Sequence, residues 1–130
     1  MKKLIASVLL AAAPLLAAAT ESGIRFDTIV SEAGKPIAIP SVWVPFGQEA
    51  VIEVPNKVRV VAIAAVPKGD KSKVSARMYY FSGGAWVLDW DKTMDANISQ
   101  TPSFERTMAD KTHRVVVMPR KAARPASGGS

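Results

Sequence analysis

Residues 78–91, MYYFSGGAWVLDWD, contain five aromatic side chains, three before and two after a pair of adjacent glycines. Apolar runs that flank a glycine pair are typical of a β-hairpin. A two-residue Gly-Gly loop would pair Phe81 with Trp86 and mix charged with apolar side chains on both faces. A three-residue loop instead pairs Tyr80 with Trp86 and leaves one face apolar. Because burial of one face sets the register of a hairpin, we expect the three-residue loop.

The expected register sends the aromatic side chains to two faces. Three are predicted to lie in the core, since large apolar side chains are usually buried: Tyr80, Trp86 and Trp90. The outer face pairs Arg77 with Asp89. It also carries an apolar group, formed by Tyr79, Phe81 and Val87. Contiguous exposed apolar surface tends to mark interaction sites, so this group is predicted to bind a protein partner.

The rest of the chain has the pattern of short strands separated by turn-forming residues. Alternating apolar and polar positions predict eight segments: residues 24–30, 36–44, 49–54, 57–66, 73–81, 85–90, 102–108 and 112–118. Prolines spaced along the chain leave little room for a long helix. Only residues 92–100 lack strand character, and they are predicted to form a loop or one helical turn.

One segment differs from the others in its hydrophobic pattern. Residues 58–66, VRVVAIAAV, are apolar on both faces apart from Arg59. Such a strand is central and covered on both sides, or lies where two layers meet. Together the segments predict an all-β protein: a single small antiparallel β-sandwich of about seven or eight strands, immunoglobulin-like in outline.

Residues 1–19 have the pattern of a secretory signal peptide. Lys2 and Lys3 precede an uncharged run, and the alanines at 17–19 supply the small residues that a signal peptidase requires. We expect cleavage before Thr20. The uncharged run is shorter than the roughly 20 apolar residues of a membrane span, and no cysteine follows it for lipid attachment. The pattern predicts a bacterial protein, periplasmic or secreted, with no stable membrane anchor.

The positive charge is concentrated at the two ends of the chain. The formal net charge is +6, but residues 20–119 alone carry +1. A nucleic-acid-binding domain needs Lys and Arg gathered on its folded surface, so no nucleic-acid partner is predicted. Residues 120–130, RKAARPASGGS, lack large apolar side chains and are predicted to form a flexible basic tail. This leaves residues 20–119 as the sandwich domain.

The chain offers few groups for catalysis or metal binding. It has no cysteine and a single histidine, His113. Neither a nucleophile elbow nor a Ser-x-x-Lys signature is present. The acidic stretch with Asp89, Asp91 and Asp95 lacks the glycine-assisted turn of a calcium loop, and these residues are expected to be solvated carboxylates. The sequence predicts no enzyme activity, no cofactor and no metal.

Residues 68–73, KGDKSK, form a charged turn. Two interpretations stand beside each other, an anion contact and a solvated hairpin loop. The second is expected because runs of charge normally face water. No Walker-type Gly-x-x-x-x-Gly-Lys is present to cradle phosphate.

The stretch PFGQEAVIEV, residues 45–54, resembles strand openings of the form Gly-x-x-Ala-x-Ile in bacterial secretins and related small periplasmic β-modules. The double glycine that usually follows in the secretin channel segment is replaced by Glu53 and Val54. The resemblance implies an origin in the cell envelope. It implies no channel and transfers no functional residue.

Three functions follow from these patterns, in order of preference. The first is an exported, non-enzymatic β-sandwich that binds another protein in the bacterial envelope. The second is a periplasmic carrier that holds a lipid or a sugar between its two sheets, with Trp86 and Trp90 lining the pocket. The third is a small hydrolase that uses His113 with a serine and an aspartate.

Overall fold

The computed structural model describes residues 22–100 and 102–125. They form nine β-strands: β1 (Ser22–Glu32), β2 (Lys35–Ala38), β3 (Ser41–Pro45), β4 (Ala50–Val54), β5 (Val58–Ala64), β6 (Lys71–Ser82), β7 (Ala85–Asn97), β8 (Phe104–Thr107) and β9 (His113–Ala123). The predicted signal peptide lies outside the described residues, as do residues 126–130 of the predicted tail. The all-β, two-layer prediction is confirmed.

The strands form two antiparallel sheets. In the first sheet, β1 and β9 pair along their whole length, from Ser22 opposite Ala123 to Glu32 opposite His113. The strands β2 and β3 both pair with the other edge of β1, and β8 pairs with β9. The second sheet is a meander of four consecutive strands in the order β4, β5, β6, β7.

The inner faces of the two sheets meet in one hydrophobic core. Its largest fully buried side chains come from both sheets: Phe26, Phe104, Ile24, Met78, Ile98, Met108, Val30, Val58, Val60, Val74, Val115 and Val117. Trp90 of the second sheet meets Phe104 of the first edge-to-face, with ring centroids 5.7 Å apart. Burial of these apolar side chains holds the two layers together.

The strand β5 contains the apolar segment singled out in the sequence. It lies between β4 and β6, so its predicted central position is confirmed. Alternate residues from Val58 to Ala64 are buried against the first sheet. The other face, with Val61 and Ile63, is half-buried and has no further layer above it among the described residues.

Two of the predicted segments differ from the observed strands. Residues 36–44 are divided into β2 and β3 at Ile39 and Pro40. The Pro40 carbonyl still accepts a bond from the Thr28 amide of β1, but proline has no amide hydrogen to donate in return, so the regular ladder is interrupted there. Residues 92–97 are not a loop or helical turn but the second half of β7. There the inward positions Met94 and Ala96 supply the strand alternation, and β6 supplies the hydrogen-bonding partner.

The predicted tail begins too early, since residues 120–123 belong to β9 and pair with β1. Trp43 explains this extension. Its indole nitrogen donates a hydrogen bond of 2.9 Å to the Ala122 carbonyl, and Arg124 lies over its ring at 5.5 Å. The ring passes so close to Gly23 that a Cβ there would lie 2.7 Å from it. The same Cβ would lie 2.4 Å from the Val44 carbonyl oxygen, so glycine is required at position 23 both for the backbone of β3 and for the indole above it.

The aromatic hairpin has a two-residue loop, so the predicted three-residue loop is wrong. Gly83 and Gly84 have φ angles of 62° and 79°. Positive φ at both central positions is the requirement of a type I′ turn, whose twist matches that of the flanking strands. Phe81 consequently pairs with Trp86.

A β-bulge gives β6 and β7 an apolar inner face through a register that differs from the one expected of the three-residue loop. Asp89 is inserted as an extra residue in β7, and beyond it every partner shifts by one. Met78 thereby pairs with Trp90 on the inner face, and Arg77 pairs with Asp91 rather than Asp89. A bulge of this kind also bends the strand and turns the inserted side chain in a new direction.

Candidate functional site

The outer face of the second sheet carries an aromatic patch beside the Gly-Gly turn. Cross-strand partners in an antiparallel sheet project to the same face. The pairs Phe81–Trp86 and Tyr79–Leu88 therefore lie together on this face, and Arg59 pairs with Tyr79 from β5. We call Arg59, Tyr79, Phe81, Trp86 and Leu88 the aromatic patch.

The side chains of the aromatic patch contact one another directly. Phe81 meets Trp86 edge-to-face, with ring centroids 5.1 Å apart and an interplanar angle of 71°. The Arg59 guanidinium lies over the Trp86 ring at 5.9 Å from its centroid. Leu88 is 51% exposed, while the other four side chains are half-buried, so the patch presents part of its apolar surface to solvent.

Ion pairs flank the aromatic patch and balance its charge. Arg59 Nε lies 3.4 Å from the Glu53 carboxylate, and an Arg77 guanidinium nitrogen lies 3.3 Å from Glu49. Each of these side chains is between about two-fifths and one-half exposed, so the pairs are screened by water and contribute little to stability. The face is thus apolar at its centre and nearly neutral around it.

The predicted binding group is only partly assembled. Tyr79 and Phe81 share the outer face, as predicted. Val87 pairs with Tyr80 and therefore lies on the opposite face, so its predicted place beside them is wrong. The prediction of Trp86 as a core residue is also wrong, since it joins the aromatic patch, whereas Tyr80 and Trp90 pack against the core as expected. The Gly-Gly dipeptide, which favours a two-residue loop, was the signal for this arrangement.

Asp89 holds the two sheets together and is not a solvated carboxylate. Its side chain is only 4% exposed. One carboxylate oxygen accepts a bond of 2.9 Å from Arg106 Nε of β8, and the other accepts the Ala109 amide at 3.1 Å. The bulge is what points this group inward. No group of three or more metal-ligating side chains occurs within the part of the chain that the structure describes.

His113 is held between two carboxylates. Its Nδ1 lies 2.6 Å from Asp110, and its Nε2 lies 3.6 Å from Glu32, which forms an ion pair of 3.0 Å with Lys57. Burial alone would raise the pKa of Asp110, but hydrogen bonds from the His113 side chain and from the amides of His113 and Thr112 outweigh it and lower that pKa. The cluster joins the β8–β9 connection to the β1–β2 hairpin.

The two less preferred functions gain no support from these contacts. Within the described residues, no serine hydroxyl is hydrogen-bonded to His113, as a hydrolase triad would need. Neither Trp86 nor Trp90 lines the cleft found in the second sheet, which lies around Lys68 and Lys71 at the other end of β6. The space between the sheets at Trp90 is filled by Phe104.

Within residues 22–100 and 102–125, no helix is long and apolar enough to cross a membrane. No family model matches the chain, and neither a curated protein nor a solved structure shows significant similarity to it.

Proposed function

We propose that this protein is an exported, non-enzymatic β-sandwich of the bacterial envelope, periplasmic or secreted, that binds another protein through the aromatic patch. The observation that carries the proposal is the position of Phe81 and Trp86 in contact on an outer sheet face. Aromatic side chains on a sandwich normally enter the core, and Tyr80 and Trp90 of the same hairpin pack against it. The signal pattern of residues 1–19 supports export.

The composition of the aromatic patch favours a protein partner. Trp, Tyr and Arg are the residues that dominate the binding energy of protein interfaces, and they do so near the centre of the contact. Here Trp86 lies between Phe81 and Arg59, with Leu88 and Tyr79 around them. The surrounding ion pairs would form the polar rim that is typical of such an interface.

The charge balance indicates the chemistry of the partner. Because Arg59 and Arg77 are matched by Glu53 and Glu49, the face exerts little net electrostatic attraction. The partner should therefore place an apolar or aromatic side chain against the aromatic patch. Its affinity should depend only weakly on ionic strength, since long-range charge attraction is small.

The experiment begins in the native cell. A photo-crosslinking amino acid at Leu88, in the full chain, identifies the contacting protein, and N-terminal sequencing of the recovered chain tests export. A chain that starts at Thr20 is expected, and recovery only of uncleaved cytoplasmic protein would contradict export. The identified protein is then purified and titrated calorimetrically against the purified β-sandwich.

Variants of the aromatic patch decide the site. Trp86→Ala should weaken binding about 30-fold, the loss typical of a central interface residue. Phe81→Asp should weaken it further, because it places a charge within the apolar contact. The matched control is Ile39→Asp, which charges an apolar side chain that is 70% exposed between β2 and β3 and should not change binding. Unchanged affinity in both patch variants, with native circular dichroism, would refute the site.

A further inference from the structure

A cleft of about 480 Å³ lies at the other end of the outer face of the second sheet, around residues 65–73. It is formed where the chain leaves β5 and enters β6. Its lining combines three lysines, one carboxylate, one serine and two apolar residues: Lys68, Lys71, Lys73, Asp95, Ser72, Ala65 and Val66. We call this feature the lysine cleft. Its volume falls within the range of small-molecule sites.

Two of the lysines lie directly opposite each other. Lys68 and Lys71 form a cross-strand bridge in which each amide donates to the other carbonyl, at 2.9 and 3.1 Å. Residues paired in this way send their side chains to the same face. Like charges placed directly opposite are destabilising, so the bridge carries an electrostatic cost in the unliganded protein. An anion between the two ammonium groups would remove that cost.

The carboxylate in the lysine cleft does not neutralise this pair. Asp95 lies 3.9 Å from Lys73, its cross-strand partner, and both side chains are more than half exposed. No carboxylate lies within ion-pairing distance of Lys68 or Lys71 in residues 22–100 and 102–125. Asp70 lies in the turn between the two lysines, so the three lysines of the cleft exceed the nearby carboxylates, Asp70 and Asp95, by one positive charge.

The apolar wall of the lysine cleft is held in place by the backbone. Val66 is 74% exposed, the highest value among the large apolar side chains exposed in the described residues. The segment that carries it is fixed at Ala65 by two hydrogen bonds to β6. The buried Ser72 hydroxyl donates to the Ala65 carbonyl at 2.6 Å, and the Ala65 amide donates to the Lys73 carbonyl at 3.0 Å. An apolar surface is thus fixed beside two ammonium groups that form no ion pair with the described carboxylates.

We propose that the lysine cleft binds a small organic anion that carries an apolar group. The carboxylate or phosphate lies between Lys68 and Lys71, and the apolar portion lies along Val66. Charge-assisted hydrogen bonds from two ammonium groups hold the anionic end, and burial of Val66 contributes the rest. This site does not depend on the protein partner proposed above, since it lies at the opposite end of β6.

The test uses probes that separate charge from apolar contact. Octyl phosphate carries both features, inorganic phosphate only the charge, and octanol only the apolar group. Each is titrated below any micelle concentration into the ¹⁵N-labelled β-sandwich, and amide shifts are followed by NMR. Octyl phosphate should bind saturably with shifts at Ala65, Val66 and Lys71, about tenfold tighter than inorganic phosphate, and octanol should not bind.

Three variants identify the groups responsible. Lys71→Glu should abolish binding of octyl phosphate while leaving the protein as stable as before or more stable, because it converts a repulsive cross-strand pair into an attractive one. Val66→Ser should reduce octyl phosphate to the affinity of inorganic phosphate. Lys92→Glu, which reverses an exposed lysine outside the lysine cleft, is the matched control and should bind normally.

Three results would overturn the proposal. One is equal affinity in Lys71→Glu and the unchanged protein. Another is the absence of saturable binding of octyl phosphate, including the case in which only anionic vesicles bind. The third is a set of shifts that maps to the aromatic patch or the core instead of residues 65–73.

Discussion

The two faces of β6 differ in the burial of their side chains and in what those side chains contact. The inward residues of its first part are all buried: Ser72, Val74, Ala76 and Met78. The outward residues alternate with them and are half-buried or exposed: Lys71, Lys73, Ser75, Arg77 and Tyr79. The inward set determines which sheet the strand packs against. The outward residues do not pack against the other sheet, and both proposed binding sites lie on this face.

The neighbouring strand β7 departs from this division between buried inward and exposed outward residues at the bulge of Asp89. A charged residue at an outward position would normally be solvated, but the bulge points this carboxylate towards Arg106 of the other sheet. A polar group that is buried with its partners contributes to stability, and it becomes costly when one partner is lost. We expect effects of three sizes, on the inner face of β6, at the bulge and at Asp110 in the β8–β9 connection.

The largest effect is expected from a cavity on the inner face. Met78 is fully buried, and Met78→Ala should lower the free energy of unfolding by about 2–5 kcal/mol. Its sequence neighbour provides the control on the other face, since Arg77→Ala should cost less than about 1 kcal/mol. Urea denaturation followed by tryptophan fluorescence measures both. Equal losses would show that the two faces do not differ in their contribution to folding.

An intermediate effect is expected at the bulge. Asp89→Asn removes the charge that accepts bonds from Arg106 and the Ala109 amide, and should destabilise the protein by about 1–3 kcal/mol. Asp91→Asn is the matched control, because Asp91 is exposed on the outer face and should be neutral. The same urea titration measures the two variants. If Asp91→Asn proves the more damaging, the inward role of Asp89 is wrong.

The smallest effect is expected at Asp110. Its pKa is lower in the folded protein than in the unfolded chain, so its ionised form stabilises the fold. This stability is fully present above the unfolded pKa and is lost as pH falls through the folded pKa. The free-energy difference between the unchanged protein and Asp110→Asn should be below about 1 kcal/mol at neutral pH and should shrink in acid.

Urea titrations over a series of pH values measure this difference. A gap that grows as pH falls would reverse the assigned direction of the pKa shift. The effect concerns the contact between the β8–β9 connection and His113 and involves neither proposed binding site.

The extent to which the fold could be predicted differs between elements. Alternation along residues 49–54 and 73–81 identified β4 and β6, because burial of one face requires a period of two. The register of the aromatic hairpin could not be derived in this way. A three-residue loop gives the hairpin an apolar face directly, and a two-residue loop does so when a bulge follows it. The bulge at Asp89 is stabilised by Arg106, which lies 17 residues further along the chain. Trp86 was misplaced for a different reason, since the three-residue loop was preferred over the two-residue loop that the Gly-Gly dipeptide favours.

The sequence by itself determined the all-β character, the two-layer arrangement and the positions of the turns, since these depend on local alternation and on residues that tolerate positive φ. Tertiary structure alone decided the inward turn of Asp89 and the extension of β9 beneath Trp43. Each of these depends on a contact between residues that are distant in the chain. The alternation of apolar and polar residues indicates which side chains share a face of a strand. The residues that cover that face are determined only when the two sheets pack together.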